Sequence, residues 1–194
     1  RPRDAPLMPL NEVDRKSVRA TLAGGQRPQG LFITCSDSRI NPNLITQTDP
    51  GELFILRNVG NFVPPFDLSG GYHGVAAGIE FGTTVLGVTD IVVCGHTHCG
   101  AIRALYDPPN VASPHVTKWL ELAHEARLDE PVSEEMLRRT EQRSITIQLA
   151  RLMTFPLVAE RVEKGEVSLH GWHYVIEEGR VDVLDVEAGE FKAL

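Results

Sequence analysis

The chain has 194 residues, of which 42% are hydrophobic and 23% are charged, a composition typical of soluble globular proteins. Its formal charge of -7 gives no support for nucleic acid or an anionic membrane as a partner, and no apolar stretch approaches the roughly 20 residues of a membrane span. The three cysteines are an odd number, which argues against a disulfide framework and favours metal binding in a reducing compartment.

The amino-terminal part of the chain predicts a helical arm over residues 1–25. Within it, residues 11–24 place apolar side chains among charged ones, with Asn11 as a plausible N-cap and two glycines that end the helix. The first six residues contain no apolar signal core, so we expect a cytoplasmic protein.

Three short apolar runs predict strands of a mostly parallel sheet. They lie at residues 31–34, 52–56 and 91–94, and helical patterns at 73–86 and after Gly100 alternate with them. This alternation is typical of right-handed crossovers, with helices on the faces of the sheet.

The carboxyl-terminal half predicts helices and then a hairpin. Residues 115–165 are mostly helical in pattern, with Ser133 as a helix start and interruptions at Pro131 and Pro156. Residues 169–186 then alternate around a turn, as a hairpin does. The predicted fold class is therefore α/β: one domain over 1–194, with a central mostly parallel sheet flanked by helices, a helical arm and a terminal hairpin.

Cysteine and histidine side chains follow two of the predicted strands. Cys35 ends the first apolar run, whereas His96 and Cys99 follow the third, three residues apart. Because the carboxyl ends of neighbouring parallel strands meet at one crevice, we expect the three side chains to converge. A Cys₂His set suits Zn²⁺ and leaves a fourth position for water or substrate, as in catalytic zinc sites.

Asp37 and Arg39 lie close to the predicted ligand Cys35 and leave two alternatives open. Asp37 can close the site as a fourth ligand, or it can pair with Arg39 and leave the metal open to water. Water on zinc ionises to a nucleophilic hydroxide. The residues alone thus predict attack of hydroxide on a small, uncharged electrophile in a cleft near apolar side chains.

Several motifs together resemble those of the β-class carbonic anhydrases. They are C-S-D-S-R at 35–39, G-E-L-F at 51–54, R-N-V-G-N at 57–61, G-H-T-H-C-G-A at 95–101 and L-H-G-W at 169–172, with Tyr174 close behind. The resemblance spans about residues 26–187, which it identifies as a zinc-binding catalytic core.

The resemblance implies reversible hydration of carbon dioxide to bicarbonate and a proton. It implies one Zn²⁺ per subunit bound by Cys35, His96 and Cys99, and a catalytic dyad of Asp37 and Arg39 that orients the zinc-bound hydroxide. In a closed state Asp37 would be the fourth ligand. The substrate-binding residues that the resemblance implies are Gln26, Phe54, Val59, Phe81 and Gly100.

The resemblance also implies a homodimer or a dimer-based higher oligomer, with active sites at the dimer interface, in the cytoplasm or in a carbon-concentrating microcompartment. Phe81 stands where many members carry Tyr, and Phe32 where members with a regulatory bicarbonate pocket carry Trp. The second difference favours an open site with Asp37 paired to Arg39. Arg57 is interpreted as a salt-bridge partner of an acidic side chain, and Cys94 as a buried, inert thiol.

Three alternatives remain open from the sequence. A hydrolase of carbon disulfide or carbonyl sulfide would share the fold and the zinc ligands. A non-catalytic interaction module would bind zinc without turnover. A closed structural zinc site would keep Asp37 as its permanent fourth ligand.

Overall fold

The computed structural model describes residues 22–69, 71, 73–108 and 112–194. Most of the predicted arm, with nearly all of its helix at 11–24, lies outside the described residues. Among the described residues, no helix is both long and apolar enough to cross a membrane.

The strands of the described chain form one sheet in the order β2-β1-β3-β4-β5-β6. The first four strands in this order run parallel, and β5 and β6 are antiparallel to their neighbours. Their bounds are β1 Gly30–Cys35, β2 Leu53–Asn58, β3 Asp90–His96, β4 Ser168–Val175, β5 Arg180–Asp185 and β6 Glu190–Ala193. The predicted strands and hairpin are confirmed, and β6 is an additional strand that the sequence pattern did not indicate.

Helices connect the strands and pack on the sheet. Their bounds are α1 Pro42–Thr46, α2 Gly74–Glu80, α3 Gly100–Arg103, α4 Pro114–Leu120, α5 Glu134–Leu152 and α6 Pro156–Glu163. Helix α5 begins where the sequence predicted, because the Ser133 side chain accepts a hydrogen bond from the backbone N–H of Met136 at 3.1 Å. Helix α6 has Pro156 in its first turn, where the missing N–H costs nothing.

The helix predicted over residues 73–86 is shorter than expected. Helix α2 ends at Glu80 and continues as a π-helical turn, Phe81–Val85. In that turn Thr83 and Thr84 donate side-chain hydrogen bonds to the carbonyls of Ile79 and Glu80. Such side-chain bonds to the preceding turn bend a helix, and apolar periodicity does not reveal them.

The main core lies between one face of the sheet and helix α5. The buried strand residues of this face come from β1 and β3, and those of the helix lie one or two turns apart. The set includes Leu31, Ile33, Ile91, Val93, Ile145, Leu149 and Leu152. The opposite face buries Phe32, Val92 and Cys94, with Trp172 edge-on to Phe32 at 5.9 Å between ring centroids.

The register of the parallel strands places the predicted ligands at one edge of the sheet. Cys35, the last residue of β1, pairs with Asn58 at the end of β2. On the other side of β1, Thr34 pairs with Cys94, two residues before the end of β3 at His96. The carboxyl ends of β1 and β3 therefore meet, as the strand–helix alternation predicted.

Candidate metal centre

Cys35, His96 and Cys99 converge at the carboxyl ends of β1 and β3. One possible ligand atom from each residue lies within 4.8 Å of the other two, and all three residues are buried. The prediction that these side chains meet is therefore confirmed. Two sulfur atoms and one imidazole nitrogen form a donor set that suits Zn²⁺.

The ring of His96 is oriented for metal binding. Its Nδ1 lies 2.9 Å from the carbonyl oxygen of Thr97, to which it donates. This bond leaves the lone pair on Nε2, and that atom is buried without a hydrogen-bond partner in the described residues. A buried nitrogen without a partner is costly, so this atom fits a metal ion directed at its lone pair.

The two thiols are positioned to share negative charge. The backbone N–H of Gly60 donates to Cys35 Sγ at 3.4 Å. The neighbouring Cys99 thiol holds the pKa of the Cys35 thiol far below its usual range, against the opposing effect of burial. The same contact raises the pKa of Cys99. Cysteine binds a metal ion as the thiolate, so a metal ion held by these two sulfurs displaces their protons.

Asp37 is turned towards Arg39 in a two-pronged ion pair. Arg39 donates from Nε to Oδ1 at 2.9 Å and from Nη2 to Oδ2 at 2.7 Å, and its backbone N–H also donates to Oδ1. These bonds hold the pKa of the Asp37 carboxyl well below its usual range. The carboxylate lies beside the metal ligands, because Oδ2 is 3.9 Å from Nε2 of His96.

Comparisons with known proteins agree with this centre. A family profile described as carbonic anhydrase matches residues 30–181. A carbonic anhydrase of Pseudomonas aeruginosa is 44% identical over 186 residues, which are 93% of this chain and 84% of that protein. The chain belongs to the carbonic anhydrase family.

Solved structures place the chain in the β class of that family. It superposes on the β-carbonic anhydrase CcaA with a TM-score of 0.87 at 37% identity, over 94% of this chain and 91% of the other. A carbonic anhydrase of Synechocystis is 40% identical over 180 residues, which are 89% of this chain but 65% of that protein.

Arg57 holds the loop that carries the carbonic anhydrase motif at residues 35–39. Its Nε donates to the carbonyl oxygen of Cys35 at 3.0 Å, and its Nη2 donates to that of Asp37 at 2.7 Å. The prediction that Arg57 pairs with an acidic side chain is wrong, because its hydrogen bonds among the described residues go to these two main-chain carbonyls. Main-chain carbonyls leave no signal in a sequence, so this role could not be inferred from residue types.

The turn that joins His96 to Cys99 contains an unusual backbone conformation. His98 has φ of 58°, in the left-handed region that a residue with a Cβ rarely adopts. Its side chain contacts two carboxylates, Glu134 at 3.1 Å and Glu177 at 3.6 Å. Its carbonyl oxygen accepts a hydrogen bond from Arg39 Nη2 at 3.1 Å. The turn is thus tied to the Asp37–Arg39 pair.

Two of the five predicted substrate-binding residues lie beside the cluster of Cys35, His96 and Cys99. Val59 follows the end of β2, next to Gly60, which contacts Cys35; the Val59 carbonyl accepts a bond from Trp119 Nε1 at 2.7 Å. Gly100 directly follows Cys99 and begins α3, where an added Cβ would meet nothing within 4 Å.

The other three predicted substrate-binding residues lie elsewhere in the same chain. Phe54 is four residues before the carboxyl end of β2, which is about 13 Å at 3.3 Å per residue. Its ring contacts that of Phe81, with 5.8 Å between the centroids. Gln26 is exposed and precedes β1, whereas Cys35 ends that strand. Within the part of the chain that the structure describes, none of these three side chains hydrogen-bonds to Cys35, His96 or Cys99.

Cys94 is separate from the metal-binding cluster, as predicted. It is fully buried in β3, and burial raises the pKa of its thiol to about 12. Glu141, a buried carboxylate in α5 that the sequence motifs do not include, accepts the backbone N–H of Cys99 at 3.1 Å. The only signal for it would have been its position on the buried face of that helix.

Proposed function

We propose that this chain catalyses the reversible hydration of carbon dioxide to bicarbonate and a proton, with one Zn²⁺ per subunit held by Cys35, His96 and Cys99. The observation that carries the proposal is the buried convergence of these three donors within 4.8 Å of one another. The unpartnered Nε2 of His96 supports a metal ion at this place. Membership of the β-carbonic anhydrase class supports the reaction.

The Asp37–Arg39 pair supplies the orientation of the nucleophile. When bound, zinc acts as a Lewis acid that lowers the pKa of water at its remaining coordination position. An ionised carboxylate only accepts hydrogen bonds, so water beside Asp37 must direct a proton to it and a lone pair away from it. Arg39 keeps Asp37 ionised and fixes both of its oxygens. The carboxylate therefore holds the water in one orientation towards the carbon atom of the substrate.

The geometry favours an open site over one that Asp37 closes as a fourth ligand. Both carboxylate oxygens accept hydrogen bonds from the Arg39 guanidinium, at 2.9 and 2.7 Å. For Asp37 to bind the metal ion, at least one of these charge-assisted bonds would have to be given up. The closed state would therefore be a second state of the site. A structural zinc site, in contrast, would keep Asp37 bound to the metal ion permanently.

The substrate pocket is proposed to form between two subunits. Val59 and Gly100 would line it from the chain that holds the zinc ion, and Gln26, Phe54 and Phe81 from the partner. This division is supported by the single chain, where Gln26 precedes the amino end of β1 and Cys35 lies at its carboxyl end, five residues or about 17 Å from Gly30.

An interface near these residues is also supported by exposed apolar side chains. Phe81 and Val85 lie one turn apart in the π-helical segment and are 42% and 65% exposed in the single chain, and Val59 is 46% exposed. A homodimer, or a higher oligomer built from dimers, would cover them. A Sordaria macrospora structure that is 28% identical, with a TM-score of 0.79 over 89% of this chain and 88% of the other, is described as tetrameric. The three free cysteines suit a reducing compartment such as the cytoplasm.

The test is stopped-flow hydration of dissolved carbon dioxide with a pH indicator, together with elemental analysis for zinc. We expect the wild type to hold zinc and to catalyse hydration, and Cys35→Ser to lose both. Cys94→Ala is the matched control, because it removes the one cysteine that lies outside the cluster. We expect this variant to keep its zinc and its turnover.

The same assay separates the alternatives. A wild type that holds zinc but hydrates carbon dioxide no faster than buffer would overturn the proposal. Turnover of carbon disulfide or carbonyl sulfide in that case would identify a sulfur-substrate hydrolase. Zinc without turnover of any of these substrates would identify a non-catalytic module.

A further inference from the structure

A buried acid–imidazole pair lies behind the metal centre. Glu141 in α5 is 3% exposed and His173 in β4 is fully buried. Glu141 Oε2 lies 3.0 Å from His173 Nε2, and Glu141 Oε1 accepts the backbone N–H of Cys99 at 3.1 Å. A buried carboxylate is costly unless its oxygens are hydrogen-bonded, and here both are. One of the two bonds goes directly to the main chain of a metal ligand.

Two glycines let Glu141 reach this position. A Cβ on Gly95 would lie 2.9 Å from the Ile145 side chain, and one on Gly171 would lie 3.0 Å from that of Leu149. Helix α5 therefore rests directly on the backbone of β3 and β4. This close approach places Glu141, one helical turn before Ile145, next to the loop that follows β3.

That loop needs support from outside itself. Its residue His98 adopts a left-handed conformation, which is unfavourable for a side chain with a Cβ and persists only where the surroundings enforce it. The following residue, Cys99, must nevertheless present its sulfur to the metal ion in a fixed position. A hydrogen bond from the Cys99 N–H to a charged acceptor is stronger than one to a neutral group, and it fixes the backbone at the ligand itself.

We propose that Glu141, itself oriented by His173, is a positioning residue for the zinc ligand Cys99. His173 donates through Nε2 to Glu141, and its Nδ1 is buried without a partner in the described residues. His173 thus fixes one oxygen of Glu141 and leaves the other directed at the Cys99 N–H. The inference rests on the proposed zinc site, and it adds Glu141 and His173 to the residues that hold the ion.

A merely structural role is the competing explanation, because the pair also ties α5 to β4. The two roles differ in what the metal ion experiences. A tie between elements would change the stability of the apoprotein and leave the bound ion unaffected. Replacement of a positioning residue changes the rate at which the metal ion dissociates. It also changes the absorption spectrum of the metal–sulfur bond to Cys99.

The first measurement is the rate of zinc transfer from the holoenzyme to a chromogenic chelator, well below the unfolding temperature. We expect Glu141→Ala to lose zinc about 10- to 100-fold faster than the wild type, because loss of a group that supports a metal ligand lowers metal affinity by about this factor. Glu141→Gln should restore most of the retention, because its amide oxygen can still accept the Cys99 N–H. Ser144→Ala is the matched control: this hydroxyl is buried one turn along α5 and has no partner in the described residues.

The second measurement is the near-ultraviolet and visible spectrum of the cobalt-substituted protein, in which thiolate-to-cobalt charge transfer reports the bonds to both cysteine sulfurs, that of Cys99 included. We expect a shifted band in Glu141→Ala and the wild-type band in Ser144→Ala. Wild-type zinc loss and an unchanged band in a folded Glu141→Ala would overturn the inference. If Glu141→Ala does not fold, His173→Ala decides, since it frees the carboxylate without removing it: faster zinc loss supports the inference and wild-type loss overturns it.

These outcomes are distinct from failure of the proposed function. A wild type without zinc would remove the metal site itself. If the wild type binds zinc and the Glu141 and His173 variants lose it at the same rate, the zinc site stands. Only the positioning role is then removed.

Discussion

Arg39 donates three hydrogen bonds to Asp37, two from its guanidinium and one from its backbone N–H. The same guanidinium donates to the carbonyl oxygen of His98, in the turn between two zinc-ligand candidates. Asp37 therefore cannot rotate without breaking bonds, and its direction is coupled to the position of that turn. The side chain of Arg39 is partly exposed, so the Coulomb energy of the ion pair is small. Arg39 acts mainly by fixing the orientation of the Asp37 carboxylate.

We predict that Arg39→Ala lowers the turnover number for carbon dioxide hydration about 100-fold while zinc stays bound, because a misplaced orienting group costs a factor of this order. Asp37→Asn should have a similar effect, since an amide can present an N–H to the water. Arg39→Lys should fall between, because an ammonium group cannot bind both oxygens in parallel. Stopped-flow rates at equal zinc content give the comparison. Wild-type turnover in Arg39→Ala would exclude the pair from the mechanism.

Removal of zinc should destabilise the folded protein. An ion that binds only the folded state at a concentration 1,000-fold above its Kd contributes about 4 kcal/mol, which corresponds to a fall in Tm of about 10 °C in a chain of this length. We expect this fall after treatment with a chelator, and recovery with equimolar Zn²⁺ but not with Mg²⁺, which prefers oxygen ligands. Thermal scans at one protein concentration measure it. An unchanged Tm would contradict a buried site that the ion completes.

The two glycines of α2 should respond oppositely to an added methyl group. A Cβ on Gly78 would lie 2.5 Å from the Leu56 side chain, whereas one on Gly74 would meet nothing within 4 Å. We predict that Gly78→Ala lowers the free energy of unfolding by about 1–3 kcal/mol through overpacking. Gly74→Ala should raise it by up to about 1 kcal/mol, because alanine has fewer unfolded conformations. Urea unfolding at fixed protein concentration distinguishes the two, and equal stabilities would argue against close packing of α2 on β2.

The sequence was sufficient to predict the parts of this structure that rest on short-range pattern. Apolar runs indicated β1, β2 and β3, and their alternation with helices indicated a parallel sheet. A parallel sheet brings the carboxyl ends of neighbouring strands together, so the sequence alone predicts that Cys35 and His96 lie at one site.

The supporting contacts could not be predicted in the same way. Glu141 is 42 residues from Cys99, and a carboxylate in a helix is normally exposed to solvent. Its burial depends on the close approach of α5 over Gly95 and Gly171, which is a property of the packed sheet. Arg57 bonds to backbone carbonyls, which every residue has. Such contacts depend on tertiary structure and have no local signature.

The proposed division of the active site between subunits gives the last prediction. If Gln26 acts on the zinc site of the partner, Cys35→Ser and Gln26→Ala chains should complement each other. In a mixed dimer, one site combines an intact ligand set with an intact Gln26, and the other site carries both defects. Each variant alone should be nearly inactive, and the mixed dimer should show about half of the wild-type rate because one of its two sites is complete.

The two chains can be co-expressed with different affinity tags, and the mixed oligomer isolated on both tags in succession. The matched control pairs Cys35→Ser with Asp37→Asn, which both lie at the carboxyl end of β1 and its following loop. Those defects belong to one chain's own centre, so this mixed dimer has no complete site and should stay inactive. Equal inactivity of both mixtures would place Gln26 at the zinc site of its own chain. Recovery in the first mixture alone requires that Gln26 reach across the interface, because within one chain it precedes the opposite end of β1 from Cys35.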